Sequence, residues 1–190
     1  MRMFLRKPTL TSDPLAVTMS GVRMGERLLQ IGARDAKLAA QLALKPGMSG
    51  HAAIVVASQH DGDQIRAAAT RCGALVDVQT AAMGALPFGS SEFDVVVVHG
   101  AAAVLAPLDP SARRGAVAEI HRVLRSGGRV VALEPGAPTG LAAILRSAPA
   151  ADPAYERSGG TVAALETGGF KPVRLLADRE GVRFIEGLKA

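Results

Sequence analysis

The chain has one cysteine, no tryptophan and one tyrosine in 190 residues, and aromatics make up only 3%. A lone Cys72 excludes an intrachain disulfide framework and a cysteine-based metal cage. So few aromatics leave no platforms on which nucleic-acid bases would stack. The formal net charge is +5, but the basic residues form neither a block nor a tail. Nucleic acid is therefore not the expected partner. No apolar run is long enough to span a bilayer. The apolar part of Met1-Arg-Met-Phe-Leu-Arg-Lys-Pro8 is too short to read as a signal peptide. The expected location is the cytoplasm. The four histidines, at 51, 60, 99 and 121, form no spaced ligand pair, so no metal site is expected. A Walker loop and a Gly-x-Ser-x-Gly elbow are missing. Gly-x-Gly-x-x-Gly is missing too, which weighs against a nicotinamide-dependent oxidoreductase.

What is present is an apolar alternation of strands and helices. Residues 1–24 read as an N-terminal arm carrying a short helix, and 25–190 as one domain. Buried strands are expected at Leu28–Ile31, His51–Ala57, Leu75–Thr80, Phe93–His99 and Arg129–Leu133. Between them, helices are expected at Asp35–Leu44, Asp61–Cys72 and Ser111–Leu124. Short helices follow at Leu141–Arg146 and Thr161–Thr167. Val173–Ala177 and Val182–Glu186 then flank Asp178-Arg-Glu-Gly181 at hairpin spacing. Strands alternating with helices give an α/β fold with a parallel sheet and right-handed crossovers.

Four stretches give this order a family likeness. They are Met24-Gly-Glu-Arg-Leu-Leu-Gln-Ile-Gly32, Leu86-Pro-Phe-Gly-Ser-Ser-Glu-Phe-Asp-Val-Val-Val-Val98, Glu119-Ile-His-Arg-Val-Leu-Arg-Ser-Gly-Gly-Arg-Val-Val-Ala-Leu-Glu134, and Gly169-Phe170 with the hairpin. Over residues 22–188 the chain resembles class I S-adenosylmethionine-dependent methyltransferases of the ubiquinone/menaquinone type. The resemblance implies a Rossmann-like, seven-stranded, mostly parallel sheet with helices on both faces. Its strand order would be 3-2-1-4-5-7-6, with strand seven antiparallel. It also implies S-adenosylmethionine as cofactor, held at the carboxyl ends of strands one, two and four, and a small-molecule methyl acceptor.

Carried onto this chain, the resemblance names Gly32, Ala33, Arg34, Ser58, Gln59, Met83, His99 and Gly100 as cofactor-binding candidates. Several positions depart from the family pattern. Arg34 and Ala36 stand where the first loop usually has glycines, and Gln30 replaces a common acid. Val56 or Ala57 stands at the end of strand two, where an acid usually takes the ribose hydroxyls. Asp61 either serves that role by a loop shift or caps the following helix. Ala82 replaces an acid near adenine, with Met83 beside it as an apolar contact or as core.

For chemistry, His99 is the candidate general base or acceptor-orienting group, because it ends strand four. The competing reading is a polar strand-end histidine with no catalytic part. Glu134 ends strand five and can face the pocket. Cys72 reads as a small packed apolar residue. Segments Thr9–Ser20 and Pro135–Arg157 are the candidate substrate covers. Two functions stay open: a methyltransferase, or a non-catalytic methyltransferase-like interaction or regulatory subunit. The hairpin edge leaves room for a homodimer.

Overall fold

The computed structural model describes residues 14–33, 35–136 and 152–190. Among the described residues, seven strands form one sheet: β1 (Arg27–Ile31), β2 (His51–Val56), β3 (Asp77–Thr80), β4 (Phe93–His99), β5 (Leu124–Pro135), β6 (Val173–Arg179) and β7 (Val182–Leu188). Their order is β3-β2-β1-β4-β5-β7-β6. Neighbours from β3 to β5 pair parallel, and β7 is antiparallel to both β5 and β6. This is the expected fold.

Helices α1 (Pro14–Met19), α2 (Ala36–Leu44) and α3 (Gln59–Cys72) lie on one face. Helices α4 (Ala101–Leu105), α5 (Pro110–Val123), α6 (Pro153–Arg157) and α7 (Gly160–Thr167) serve the other. The valine run of β4 shows why both faces are apolar. Val95 and Val97 join the core cluster on the α1 and α2 side, and Val96 and Val98 join that of α4, α5 and α7. A central strand covered on both faces needs apolar side chains at every position, not at alternate ones.

Local chemistry sets the element boundaries. Asp35 caps α2, its carboxylate accepting from Lys37 and Leu38 N–H at 3.0 Å each. Gly73, at φ +73, ends α3 in a left-handed turn. Helix α3 starts two residues before the expected Asp61, because Ser58 supplies the cap. Strand β3 is shorter than expected, and Leu75 before it is exposed. Strand β5 begins directly after α5: Leu124 pairs with Phe93, and the pairing shifts before Arg129 meets Val95. The two helices α4 and α6 are additions to the sequence reading. The arm before residue 14 and the helix expected at Leu141–Arg146 lie outside the described residues, as do parts of both candidate covers.

Two of the stretches that carry the family likeness are bonded to each other. From α5, Arg122 donates to the carbonyls of Phe88 (2.8 Å) and Leu86 (3.1 Å). Glu119 accepts from Leu86 N–H at 2.8 Å and is itself paired with Arg122 at 2.7 Å. Helix α5 thus holds the Leu-Pro-Phe loop that delivers the chain into β4. Cys72 is exposed, contrary to the packed position expected of it. Its place at the last turn of α3 faces solvent, and a side chain's polarity does not choose the face of a helix end.

Candidate functional site

The carboxyl ends of β1, β2 and β4 meet where the sheet order turns outward in both directions from the β1–β4 pair. In open α/β sheets this switch point forms the ligand crevice. Gly32 leaves β1 there at φ +70, and its N–H donates to Val55 O at 3.0 Å. A Cβ on Gly32 would lie 3.1 Å from Val104 Cγ2 and 3.3 Å from His99 O. Only glycine lets the end of β1 lie this close to the β4–α4 turn. Ala33 is buried with Ile54 and Val56, so it faces the core and offers the site its backbone. Arg34 lies outside the described residues. Gly100, also left-handed at φ +60, turns β4 into α4.

His99 does not project freely from the end of β4. It is 7% exposed, and its Nε2 lies 2.9 Å from Gln30 Oε1. Gln30 is fully buried and donates through Nε2 to Ala39 O of α2 at 2.9 Å. The glutamine thus joins the end of β4 to α2. Its carbonyl oxygen can accept only from a protonated His99 Nε2. Burial pushes the imidazole pKa down to about 4, against the opposing pull of the Asp35 carboxylate. The ring is therefore neutral near pH 7.

After β2, Ser58 Oγ accepts from Asp61 N–H at 3.1 Å and donates to Asp61 Oδ2 at 2.7 Å. This reciprocal pair opens α3. Gln59 reaches along the helix to Asp63 at 3.0 Å. Met83 is half-buried against the main core cluster. The strand-end turns after β1, β2 and β4 and the loop of Met83 after β3 share the carboxyl edge of the sheet.

A second polar group sits farther along the same edge, at the end of β5. Glu134 is 5% exposed; it accepts a hydrogen bond from Thr161 Oγ1, and the nearby Ala102 N–H favours its charged form. Tyr155 Oη lies 2.7 Å from Thr161 Oγ1. Arg113 stacks over the Tyr155 ring at 4.6 Å. Burial pushes the phenol up to about 12, so Tyr155 keeps its proton; because Thr161 gives its own hydrogen to Glu134, the phenol O–H is the donor in the Tyr155–Thr161 bond. Burial also raises the Glu134 carboxyl above the ordinary range, against the lowering by Thr161. Sequence reasoning singled out Glu134 but neither Thr161 nor Tyr155. A lone tyrosine after a Pro/Gly/Ala-rich stretch carried no signal that it would be buried.

The remaining histidines are elsewhere. His51 is exposed, His60 bonds Gln64 at 2.8 Å, and His121 packs edge-on to Phe170. Among the described residues, no three His, Cys, Asp or Glu side chains are grouped to hold a metal. Nor, among them, is any helix long and apolar enough to cross a membrane.

The Methyltransferase domain family model matches residues 29–132, the span from β1 to β5 that contains the switch-point turns. The chain belongs to the methyltransferase domain family. Its fold matches that of a SAM-dependent methyltransferase from Aquifex aeolicus at TM-score 0.70 and 15% identity, covering 95% of this chain and 93% of that one. A TehB-like SAM-dependent methyltransferase from Corynebacterium glutamicum matches at TM-score 0.63 and 13% identity, covering 92% and 86%. The structure of PigF with SAH matches at TM-score 0.63 and 20% identity, covering 86% and 50%. At these identities the likeness establishes the fold. No curated protein matches the chain.

Family membership makes the chain a class I methyltransferase, with S-adenosylmethionine as the family's cofactor. The residues present fit that group. The left-handed turn at Gly32 presents backbone free of a side chain. Ser58, Gln59 and Asp61 supply hydroxyl, amide and carboxylate groups after β2, the types of group that bond a ribose diol.

Proposed function

We propose that this chain is an S-adenosylmethionine-dependent methyltransferase acting on a small-molecule acceptor. The observation that carries the proposal is the Gly32 turn, pressed against the His99–Gly100 turn at the switch point of a family-matched sheet. In this reading 1–24 is an arm and 25–190 the catalytic domain, working in the cytoplasm. Homodimerisation is part of the reading, supported by the exposed Leu175 on edge strand β6.

When bound, the cofactor supplies a methyl group on a positively charged sulfur. The chain's own residues position and shield. Gly32 and Ala33 offer backbone to the amino-acid end. Ser58, Gln59 and Asp61 take the ribose end, and Met83 packs an apolar side chain on the base. Gly100 keeps the β4 turn free of a side chain.

We assign His99 a positioning role. With Nε2 committed to Gln30 and the ring neutral, it fixes the β4 turn against β1 and α2. Transfer to an acceptor needs chiefly orientation and closeness, for which a fixed turn is suited. The reading of the chain as a non-catalytic subunit gains no support from the family match.

Calorimetric titration with S-adenosylhomocysteine tests the proposal. Saturable one-to-one binding is expected, and no heat at millimolar ligand would refute it.

A further inference from the structure

The cavity beside Glu134 has a volume of about 160 Å³. Glu134, Glu156, Thr161, Asp178 and Arg183 line it, contributed by β5, α6, α7, β6 and β7. Its charges do not balance. Arg183 is already paired with Asp178 at 3.6 Å. Among the described residues, neither Glu134 nor Glu156 has a salt-bridge partner; Glu156 is exposed to water, whereas Glu134 is almost fully buried. A buried carboxylate without a cation is costly, and the fold normally compensates it. Here Glu134 has the Thr161 O–H with Tyr155 behind it, the nearby Ala102 N–H, and a share of the Arg183 charge that Asp178 also takes.

We propose that Glu134 is a specificity-determining residue which binds the positively charged amine of the methyltransferase's acceptor in this cavity. The inference rests on the function proposed above and names its substrate class. Position supports it. Glu134 ends β5, whose Leu133 pairs with His99, so the cavity lies one strand over from the switch point on the same edge. Ala102, whose N–H favours the charged form of Glu134, follows the Gly100 turn by two residues. Thr161 and Tyr155 fix the carboxyl's orientation without neutralising it, and the one cation among the described residues lining the cavity, Arg183, is shared with Asp178. A neutral acceptor would leave the buried Glu134 carboxyl with only the Arg183 charge that Asp178 already shares, and an anionic one would meet Glu134 directly.

The test uses the full chain and three small probes: ethanolamine, ethylene glycol and glycolate. Binding is followed through the amide resonances of Thr161 and Arg183, with S-adenosylhomocysteine titrated separately. Ethanolamine is expected to bind, with glycol and glycolate at least tenfold weaker. In Glu134→Gln, which keeps an acceptor for Thr161, ethanolamine should bind at least tenfold more weakly while S-adenosylhomocysteine affinity stays within twofold.

The wild type supplies a check independent of that variant's folding. Its ethanolamine affinity should fall as pH drops through the raised Glu134 range, in a field set by Glu156, Asp178, Arg183 and the Tyr155 and Thr161 hydroxyls. Preference for glycolate, a flat pH profile, or unchanged ethanolamine binding in Glu134→Gln overturns the inference. If S-adenosylhomocysteine still binds, only the substrate class falls. If ethanolamine binds and S-adenosylhomocysteine does not, the proposed function falls instead, and the inference built on it falls with it.

Discussion

His99 Nε2 and Gln30 Oε1 lie 2.9 Å apart, 69 residues apart in sequence, and both side chains are buried. The pair makes a pH prediction. The folded-state pKa of His99, about 4, is below its ordinary value of 6.5. The unfolded chain therefore binds the proton more readily. His99's contribution is present above pH 6.5 and is lost as pH falls from 6.5 towards 4. The full effect is on the order of 3 kcal/mol. Urea unfolding of the wild type and His99→Gln across this window should show a steeper acid loss in the wild type. Parallel curves would contradict the assignment.

Gly32→Ala tests the switch-point turn. The new Cβ would be strained at φ +70 and crowded by Val104 and the His99 carbonyl. A left-handed conformation alone costs about 1–2 kcal/mol for a residue with a side chain. Thermal unfolding should show at least that loss, and S-adenosylhomocysteine affinity should fall with it.

Ser58 and Asp61 separate a structural from a ligand role. Ser58→Ala removes the cap of α3 and should cost about 1 kcal/mol in denaturant unfolding. Asp61→Asn keeps an oxygen for the Ser58 hydroxyl but removes the charge. It should weaken S-adenosylhomocysteine about tenfold, since a hydrogen bond to a charged group contributes about 1.5–3 kcal/mol. Equal affinity in Asp61→Asn and wild type would leave Asp61 as a helix-start residue only.

Arg122→Met probes the Leu-Pro-Phe anchor. It deletes the bonds to Leu86 and Phe88 carbonyls and leaves Glu119 without its cation. Because the pair is only partly buried, we expect about 2 kcal/mol of destabilisation in urea, below the range for fully buried pairs. Wild-type stability in this variant would mean that the loop holds itself.

Much of this was legible in the residues. The valine run of β4, the Ala/Leu spacing of α2 and the hairpin around Gly181 specify their elements locally, so the parallel sheet followed. Helices α4 and α6 were missed because each spans five residues, too short for a periodic signal. The site was harder to read because its roles arise across the chain. Nothing near His99 in sequence announces Gln30. Nothing near Glu134 announces that Thr161 and Tyr155 close over it. Ser58 looks like any loop serine until α3 starts beside it.

The central claim is that the switch point around Gly32 holds the cofactor. The most direct test is a titration of isotope-labelled protein with S-adenosylhomocysteine, following backbone amide resonances. The account predicts saturable shifts at Gly32, Ala33, Ser58, Gln59, Met83 and Gly100, with the β6 edge undisturbed. Shifts confined to other regions, or none at millimolar ligand, would contradict it.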